Sequence, residues 1–282
     1  MILRNNFDLT EFNSYKIKSK VILAIFPQNK QEISEALMSY QDSIIIGGGN
    51  NIILSKSIYE KPMIFIRDNF STYKVDGYSI IVDSGLSMCS LSKIAAENSL
   101  KGLEYFYDIP GTVGGGIAMN AGSENCLISD YLIEVEVFNK KERKFNLLNK
   151  NQCEFRYRES IFNNNNLVIV GAEFSFPYGD KTHIYELMTE IRKKREVKQP
   201  KNFPNAGSVF KRPKGYYVGE IIQELGLKGY TIGGAQISEK HAGFIINRGG
   251  ATGEEIIYLI NYIKSMALSK LNIHLTLEQI II

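Results

Sequence analysis

The sequence predicts a mixed α+β or α/β protein built from two or three compact units. Short β-branched runs alternate with segments of helical periodicity, the pattern expected of mixed layers. Glycines gather in two tight clusters and again between Gly207 and Gly253, and Pro200 and Pro204 break the chain after a long helical stretch. A chain of 282 residues is long enough to bury a substantial core in each unit.

Taken in order, Asn29 with Glu32 marks a helix start, and Ile33, Ala36, Leu37 and Tyr40 recur at helical spacing. Ser43 to Ile46 is a β-branched run that ends in Gly47-Gly48-Gly49-Asn50-Asn51. A second apolar run, Ile52 to Leu54, follows, so strand, glycine turn and strand is the simplest expectation. Met63 to Ile66 and Ile80 to Val82 read as further strands, and Ser90 to Asn98 as a short helix. Past a second glycine cluster, Leu132 to Phe138 alternates like a half-buried strand, and Leu167 to Phe176 is another strand. The asparagines from Asn163 to Asn166 read as a loop tip. His183 to Lys198 turns helical and ends in a basic cluster of Arg192, Lys193, Lys194, Arg195 and Lys198, read first as a solvated helix end. Thr252 with Glu255 forms a capping box for a last long helix, whose apolar face is Ile256, Leu259, Ile260, Ile263 and Ala267.

Composition narrows the function classes. With 33 basic and 30 acidic residues, the net charge of +3 gives no footprint for nucleic acid or a membrane surface. The residues after Met1 soon turn polar, and no apolar run approaches the length of a membrane helix, so a cytoplasmic protein is expected. Cys89, Cys126 and Cys153 are odd in number and form no CxxC pair, which predicts reduced thiols. His183, His241 and His274 are too scattered to suggest a metal site, and none is expected.

The glycine clusters carry the first hint of chemistry. Gly47-Gly48-Gly49-Asn50-Asn51 follows a strand directly, where bare N–H groups can face a phosphate. Pro110-Gly111-Thr112-Val113-Gly114-Gly115-Gly116 reads as a second such loop, leading into the small residues Asn120, Ala121 and Gly122. Neither fits the Rossmann or P-loop spacing, so two tight turns and two cradles for a nucleotide cofactor both remain open at this level.

Larger motifs are more specific. The run Gly102-Leu103-Glu104 through Ile109-Pro110-Gly111-Thr112-Val113-Gly114-Gly115 to Met119-Asn120-Ala121-Gly122 resembles the UDP-N-acetylenolpyruvoylglucosamine reductase family. Three later segments agree in order: Tyr157-Arg158-Glu159-Ser160, then Gln199-Pro200 with Asn205-Ala206-Gly207-Ser208-Val209-Phe210, then Gly233-Gly234-Ala235-Gln236-Ile237-Ser238-Glu239-Lys240-His241-Ala242. The resemblance spans nearly the whole chain. It implies an FAD-binding unit of the vanillyl-alcohol-oxidase/p-cresol-methylhydroxylase kind, with subdomains over 1–67 and 68–198, and a C-terminal α+β substrate domain over 199–282. The length is similar to the shorter subtype of the family.

By resemblance, NADPH reduces the FAD, and hydride then passes to the enolpyruvyl double bond of a nucleotide-sugar; a monomer is expected. Arg158 matches the family arginine on the substrate carboxylate, Ser208 the proton donor, and Glu278 the glutamate on the enolate side. These roles suit hydride addition, which leaves negative charge beside the carboxylate to be stabilised and protonated. Gly47, Gly48, Gly49, Asn50, Asn51, Gly111, Thr112, Gly114, Gly115, Asn120, Ala121, Gly122 and His241 are the expected cofactor contacts. Taken singly, Arg158 reads as a surface cation, Ser208 as a turn residue and Glu278 as the solvent face of a strand. Two stretches depart from the family pattern: Lys18-Ser19-Lys20 stands where a Gly-Gly pair is usual, and Gln279-Ile280-Ile281-Ile282 lacks the usual basic residue two positions after the glutamate. The rival readings are another FAD oxidoreductase and a non-catalytic flavin or nucleotide-sugar binder.

Overall fold

The computed structural model describes residues 1–124, 126–163 and 166–282. The chain divides into two compact units, neither of them continuous in sequence. The first comprises Met1–Asn5, Leu23–Gly48 and Lys61–Lys194; the second comprises Asn6–Ile22, Gly49–Glu60 and Arg195–Ile282.

The first unit has two cores. In one, short parallel pairings join Ala24 and Ile25 to Met63 and Ile64, and Ile44–Ile46 to Met63–Phe65. Helix α1 (Lys30–Ser39) covers them, because its spacing puts Ile33, Ala36 and Leu37 on one buried face with Ile25 and Ile64. The Asn29 side chain caps α1 by accepting from the Glu32 N–H at 2.9 Å, as the sequence suggests. The other core lies on a five-stranded antiparallel sheet ordered Lys144–Asn149, Leu132–Asn139, Leu167–Ser175, Ser79–Asp83, Tyr73–Asp76. Alternation buries Val135 and Val137 of one strand with Ala172 and Phe174 of its neighbour. Helix α2 (Met88–Glu97) packs there through Leu91, Ile94 and Ala95, and begins two residues before the predicted Ser90 because Ser87 caps it.

One expectation is corrected here. The second glycine cluster is not an open loop: Val113–Ala118 forms the short helix α3, capped by Thr112, so Gly114, Gly115 and Gly116 are helical. Glycine is a poor helix former, but a Cβ on Gly114 would lie 2.9 Å from Ser84 Cβ, and one on Gly116 2.9 Å from Met88 Sδ. Close packing, not turn formation, demands glycine at 114 and 116. Helix α4 (Lys181–Lys198) buries Ile184, Met188 and Ile191 and ends in the basic cluster. Of the asparagine run, Asn163 closes a 3-10 turn, while Asn164 and Asn165 lie outside the described residues.

The second unit holds helix α5 (Val218–Glu224), a three-stranded antiparallel sheet ordered Thr231–Ile232, Ala235–Ile237, Ile245–Asn247, and helix α6 (Gly253–Leu271). The capping box of α6 forms as predicted: Thr252 Oγ1 accepts from the Glu255 N–H, and the Glu255 carboxylate accepts from the Thr252 N–H. All five predicted apolar positions of α6 are buried. Ile280–Ile281 pairs in parallel with Ile52–Ile53, so the second apolar run after the first glycine cluster finds its partner at the far end of the chain. Near the start, Ser19 is buried, and its hydroxyl donates to the Lys56 carbonyl at 2.7 Å. The departure at Lys18-Ser19-Lys20 is thus accommodated by a hydrogen bond that glycine could not make.

Candidate active site

In the first unit, the segment Gly111–Gly114 is stitched to residues 84–88. Met88 N–H donates to Gly111 O at 2.9 Å, Val113 N–H to Leu86 O at 2.8 Å, and Gly114 N–H to Ser84 O at 2.8 Å. Gly111 has φ +124°, a conformation side chains rarely adopt. Thr112 is buried, and its Oγ1 accepts from the Gly115 N–H at 3.3 Å. Gly47 lies against it: a Cβ there would come within 2.6 Å of Thr112 Oγ1. The two glycine clusters therefore meet at Gly47 and Thr112. Gly48 stays with the first unit, whereas Gly49, Asn50 and Asn51 belong to the second.

Helix α3 ends at Ala118, and two residues on Asn120 has φ +42°, a left-handed conformation that asparagine tolerates at a helix terminus. Its Nδ2 donates to Arg156 O at 3.0 Å, and its own carbonyl accepts from Arg158 Nη1 at 3.2 Å. Arg158 Nη2 donates to Gly122 O at 2.8 Å. A Cβ on Gly122 would sit 3.2 Å from that guanidinium and 2.7 Å from the Cys126 carbonyl. Arg158 itself has φ +57°, inside a turn closed by Arg156 N–H to Glu159 O at 2.9 Å. Such a conformation costs a non-glycine residue on the order of 1–3 kcal/mol and is often found at functional sites. Arg158 is half-buried and oriented by two main-chain carbonyls, which a freely solvated surface cation would not be. Ala121, between Asn120 and Gly122, is half-buried.

Two buried polar atoms in this region have no hydrogen-bond partner among the described residues: the Asn120 Oδ1 acceptor and the Ser84 hydroxyl. A buried polar atom left unpaired costs about 1–3 kcal/mol, so an unsatisfied pair beside a glycine-lined surface fits a polar ligand.

In the second unit, main-chain hydrogen bonds gather the remaining residues. Ser208 bridges Phe244 in antiparallel fashion, Val209 N–H donates to Gly243 O at 3.0 Å, and Glu278 N–H donates to Val209 O at 2.9 Å. Ser208 and Glu278 thus lie on adjoining extended segments, with the Ser208 side chain exposed. Asn51 Nδ2 donates to Glu278 O at 3.1 Å, and Ile280 N–H returns to Asn51 O at 2.9 Å. Asn50 Nδ2 donates to Ser14 Oγ at 2.6 Å. A Cβ on Gly49, where φ is +70°, would lie 2.1 Å from Phe12 O, so this glycine serves the fold. His241 is half-buried against Phe244, with ring centroids 4.8 Å apart, and its Nδ1 accepts from the Gly243 N–H at 3.1 Å. Burial lowers its basicity below that of an ordinary histidine.

Sequence reasoning missed two residues here. Gln279 is buried beside Glu278, and Tyr15 is fully buried and donates its hydroxyl to Gln279 Oε1 at 2.9 Å. The signal was an amide standing alone before three isoleucines, in a stretch where alternation suggests a solvent face.

Comparison with known proteins places these segments in context. A family profile described as FAD binding domain matches residues 22–145, and one described as the UDP-N-acetylenolpyruvoylglucosamine reductase C-terminal domain matches residues 199–282. A UDP-N-acetylenolpyruvoylglucosamine reductase from Fervidobacterium nodosum is 42% identical over 97% of this chain and 89% of its own. One from Clostridioides difficile is 35% identical over 94% of this chain and 88% of its own. The crystal structure of the enzyme of that name from Thermus caldophilus superposes with a TM-score of 0.86 at 27% identity, covering 99% of both chains.

Proposed function

The chain belongs to the UDP-N-acetylenolpyruvoylglucosamine reductase family, and from that premise we propose that it is an FAD enzyme that uses NADPH to reduce UDP-N-acetylenolpyruvoylglucosamine to UDP-N-acetylmuramate, a peptidoglycan precursor. The α+β fold expected from the sequence carries both matched domains, the FAD-binding one and the C-terminal one. The finer division into 1–67, 68–198 and 199–282 is our proposal for how flavin and substrate are shared along the chain.

Bound FAD would supply the hydride chemistry between NADPH and the enolpyruvyl double bond. The residues present suit it. Gly47 and Gly114 have no room for a Cβ, Gly111 has a backbone conformation side chains rarely adopt, Thr112 and Gly115 adjoin them, and the buried Asn120 Oδ1 and Ser84 Oγ have no hydrogen-bond partner among the described residues. We assign Gly48, Gly49, Asn50, Asn51, Ala121, Gly122 and His241 to the same cofactor region.

The chemistry left to the protein is charge stabilisation and proton delivery. Hydride addition places negative charge on the carbon next to the substrate carboxylate. The Arg158 guanidinium, already oriented by Asn120 O and Gly122 O, is suited to pair with that carboxylate. The Ser208 hydroxyl gives its proton to the enolate carbon; a hydroxyl is a weak acid, but a carbanion-like centre is a strong base. Glu278 sits on the enolate side. The observation that carries these roles is the hydrogen bond from Glu278 N–H to Val209 O, one residue from Ser208. We further place the enzyme in the cytoplasm and read it as a monomer, which light scattering would check; no helix among the described residues is long and apolar enough to cross a membrane.

The direct test is anaerobic stopped-flow absorbance. The FAD-loaded protein is reduced with NADPH and mixed with UDP-N-acetylenolpyruvoylglucosamine. Rapid return of the oxidised flavin spectrum with formation of UDP-N-acetylmuramate is expected. A flavin that stays reduced refutes the substrate assignment and favours a binder or another oxidoreductase.

A further inference from the structure

The buried amide next to Glu278 has no role in the scheme above, yet it donates to the main-chain carbonyls of the two residues that precede Ser208. Gln279 Nε2 donates to Ala206 O at 3.0 Å and to Gly207 O at 3.2 Å, while its Oε1 accepts from the Tyr15 hydroxyl at 2.9 Å. The main-chain carbonyl of Tyr15 accepts in turn from Asn247 Nδ2 at 2.8 Å. Gln279 is 3% exposed and Tyr15 0%, so water does not compete for these bonds. Both amide hydrogens and the amide oxygen are satisfied, which fixes the direction of the carboxamide as well as its place.

What this amide holds is a flexible point of the chain. Gly207 has φ +79°, and a Cβ built on it would touch nothing within 4 Å. It is glycine for its conformation rather than for lack of space, and a glycine has more backbone freedom than any other residue. The Gly207 carbonyl lies in the same rigid peptide plane as the Ser208 nitrogen. Restraining that carbonyl therefore restrains the backbone that aims the Ser208 hydroxyl. Gln279 also follows Glu278 directly, so one residue ties together the main chain of both groups. Its neighbours argue against simple apolar packing: Ile280 and Ile281 are 47% and 44% exposed while the amide is buried.

We propose that Gln279, held in place by Tyr15, is a positioning residue that sets the Ala206–Ser208 backbone for proton transfer. This rests on the reading that Ser208 is the proton donor. An apolar residue of the same size would fill the space without imposing a direction, so its replacement should cost proton transfer more than it costs the fold.

The test uses the full-length, FAD-loaded protein with Gln279→Met, Tyr15→Phe, Ser208→Ala and a control, Tyr59→Phe. The control removes another hydroxyl of a buried tyrosine, which donates to Ile282 O at 2.6 Å on the same C-terminal segment. In Gln279→Met, flavin reduction by NADPH should stay within about twofold of wild type, while reoxidation by UDP-N-acetylenolpyruvoylglucosamine slows about tenfold or more, since misplacement by 1 Å can cost on the order of a hundredfold. Tyr15→Phe should show the same selectivity more weakly, and Tyr59→Phe none. Independently of turnover, amide hydrogen exchange across 205–210 in the apoprotein should quicken in Gln279→Met and not in Tyr59→Phe. If Ser208→Ala slows reoxidation but Gln279→Met slows both half-reactions equally, or neither, the positioning role is overturned and the proton donor stands. If Ser208→Ala leaves reoxidation unchanged, both readings fall.

Discussion

Replacing Gly47 with alanine should destabilise the first unit through a single atom, and a second substitution should undo most of the damage. The new Cβ would lie 2.6 Å from Thr112 Oγ1 but 3.8 and 3.9 Å from Thr112 Cβ and Cγ2. The last two are ordinary contacts, so the hydroxyl alone obstructs. That hydroxyl is also the N-cap of α3 and cannot rotate away without losing the Gly115 N–H. Overpacking of this kind costs roughly 1–3 kcal/mol, and Thr112→Ala costs about 1 kcal/mol through the lost cap. Without coupling, the double variant would lose the sum, roughly 2–4 kcal/mol. Because Thr112→Ala removes the obstructing atom, the double variant should instead lose about 1 kcal/mol, a coupling of at least ~1 kcal/mol. Urea unfolding of the four apoproteins measures this, with midpoints compared at constant m. FAD titration should follow the same order, with Gly47→Ala weakest. Additivity within about 0.5 kcal/mol would refute the contact between the two glycine clusters.

Three further outcomes are expected. Gly253→Ala should cost about 2–4 kcal/mol in a urea melt, because a Cβ would lie 1.8 Å from the Leu54 carbonyl oxygen and 3.0 Å from Ser55 Cα, backbone that has nowhere to move; a loss below about 0.5 kcal/mol would contradict the packing of α6. His241, held below its ordinary value of 6.5 by burial, binds fewer protons folded than unfolded, so its contribution is complete above about pH 6.5 and lost as pH falls below it. The urea midpoint of the wild type should therefore drop more between pH 7.5 and 5.5 than that of His241→Gln, and equal drops would contradict the buried ring. Cys126 and Cys153 are buried, and their thiols are pushed up to about 11, whereas Cys89 is half-exposed. Ellman's reagent at pH 8 should accordingly titrate one thiol rapidly in the native protein and three after unfolding, and a rapid native count of three would contradict the core.

Local signals were readable in the sequence. The caps at Asn29 and Thr252 involve groups three residues apart, and the apolar face of α6 follows from helical geometry alone. The glycines of α3 misled because their preference for turns was overridden by Ser84 and Met88, neighbours that only the fold supplies. The Arg158 turn was visible as a motif, but its left-handed backbone and its two carbonyl partners were not. Ser208 and Glu278 were found through resemblance, while the bonds that set them side by side join segments some 70 residues apart. Gln279 and Tyr15 stayed hidden for the same reason: their hydrogen bond spans 264 positions, and nothing near either residue announces it.

The pairing of Ile280–Ile281 with Ile52–Ile53 has a consequence for biosynthesis. The second unit draws on residues 6–22 and 49–60 as well as on the stretch from Arg195 onward. As the nascent chain leaves the ribosome, those early segments emerge long before their partners exist. They must wait, with apolar residues such as Val21 and Ile53 unsheltered, until translation reaches the last strand. Folding of this unit therefore cannot finish before Ile280 and Ile281 have been made, and the waiting segments are where a chaperone would be expected to hold the unfinished chain.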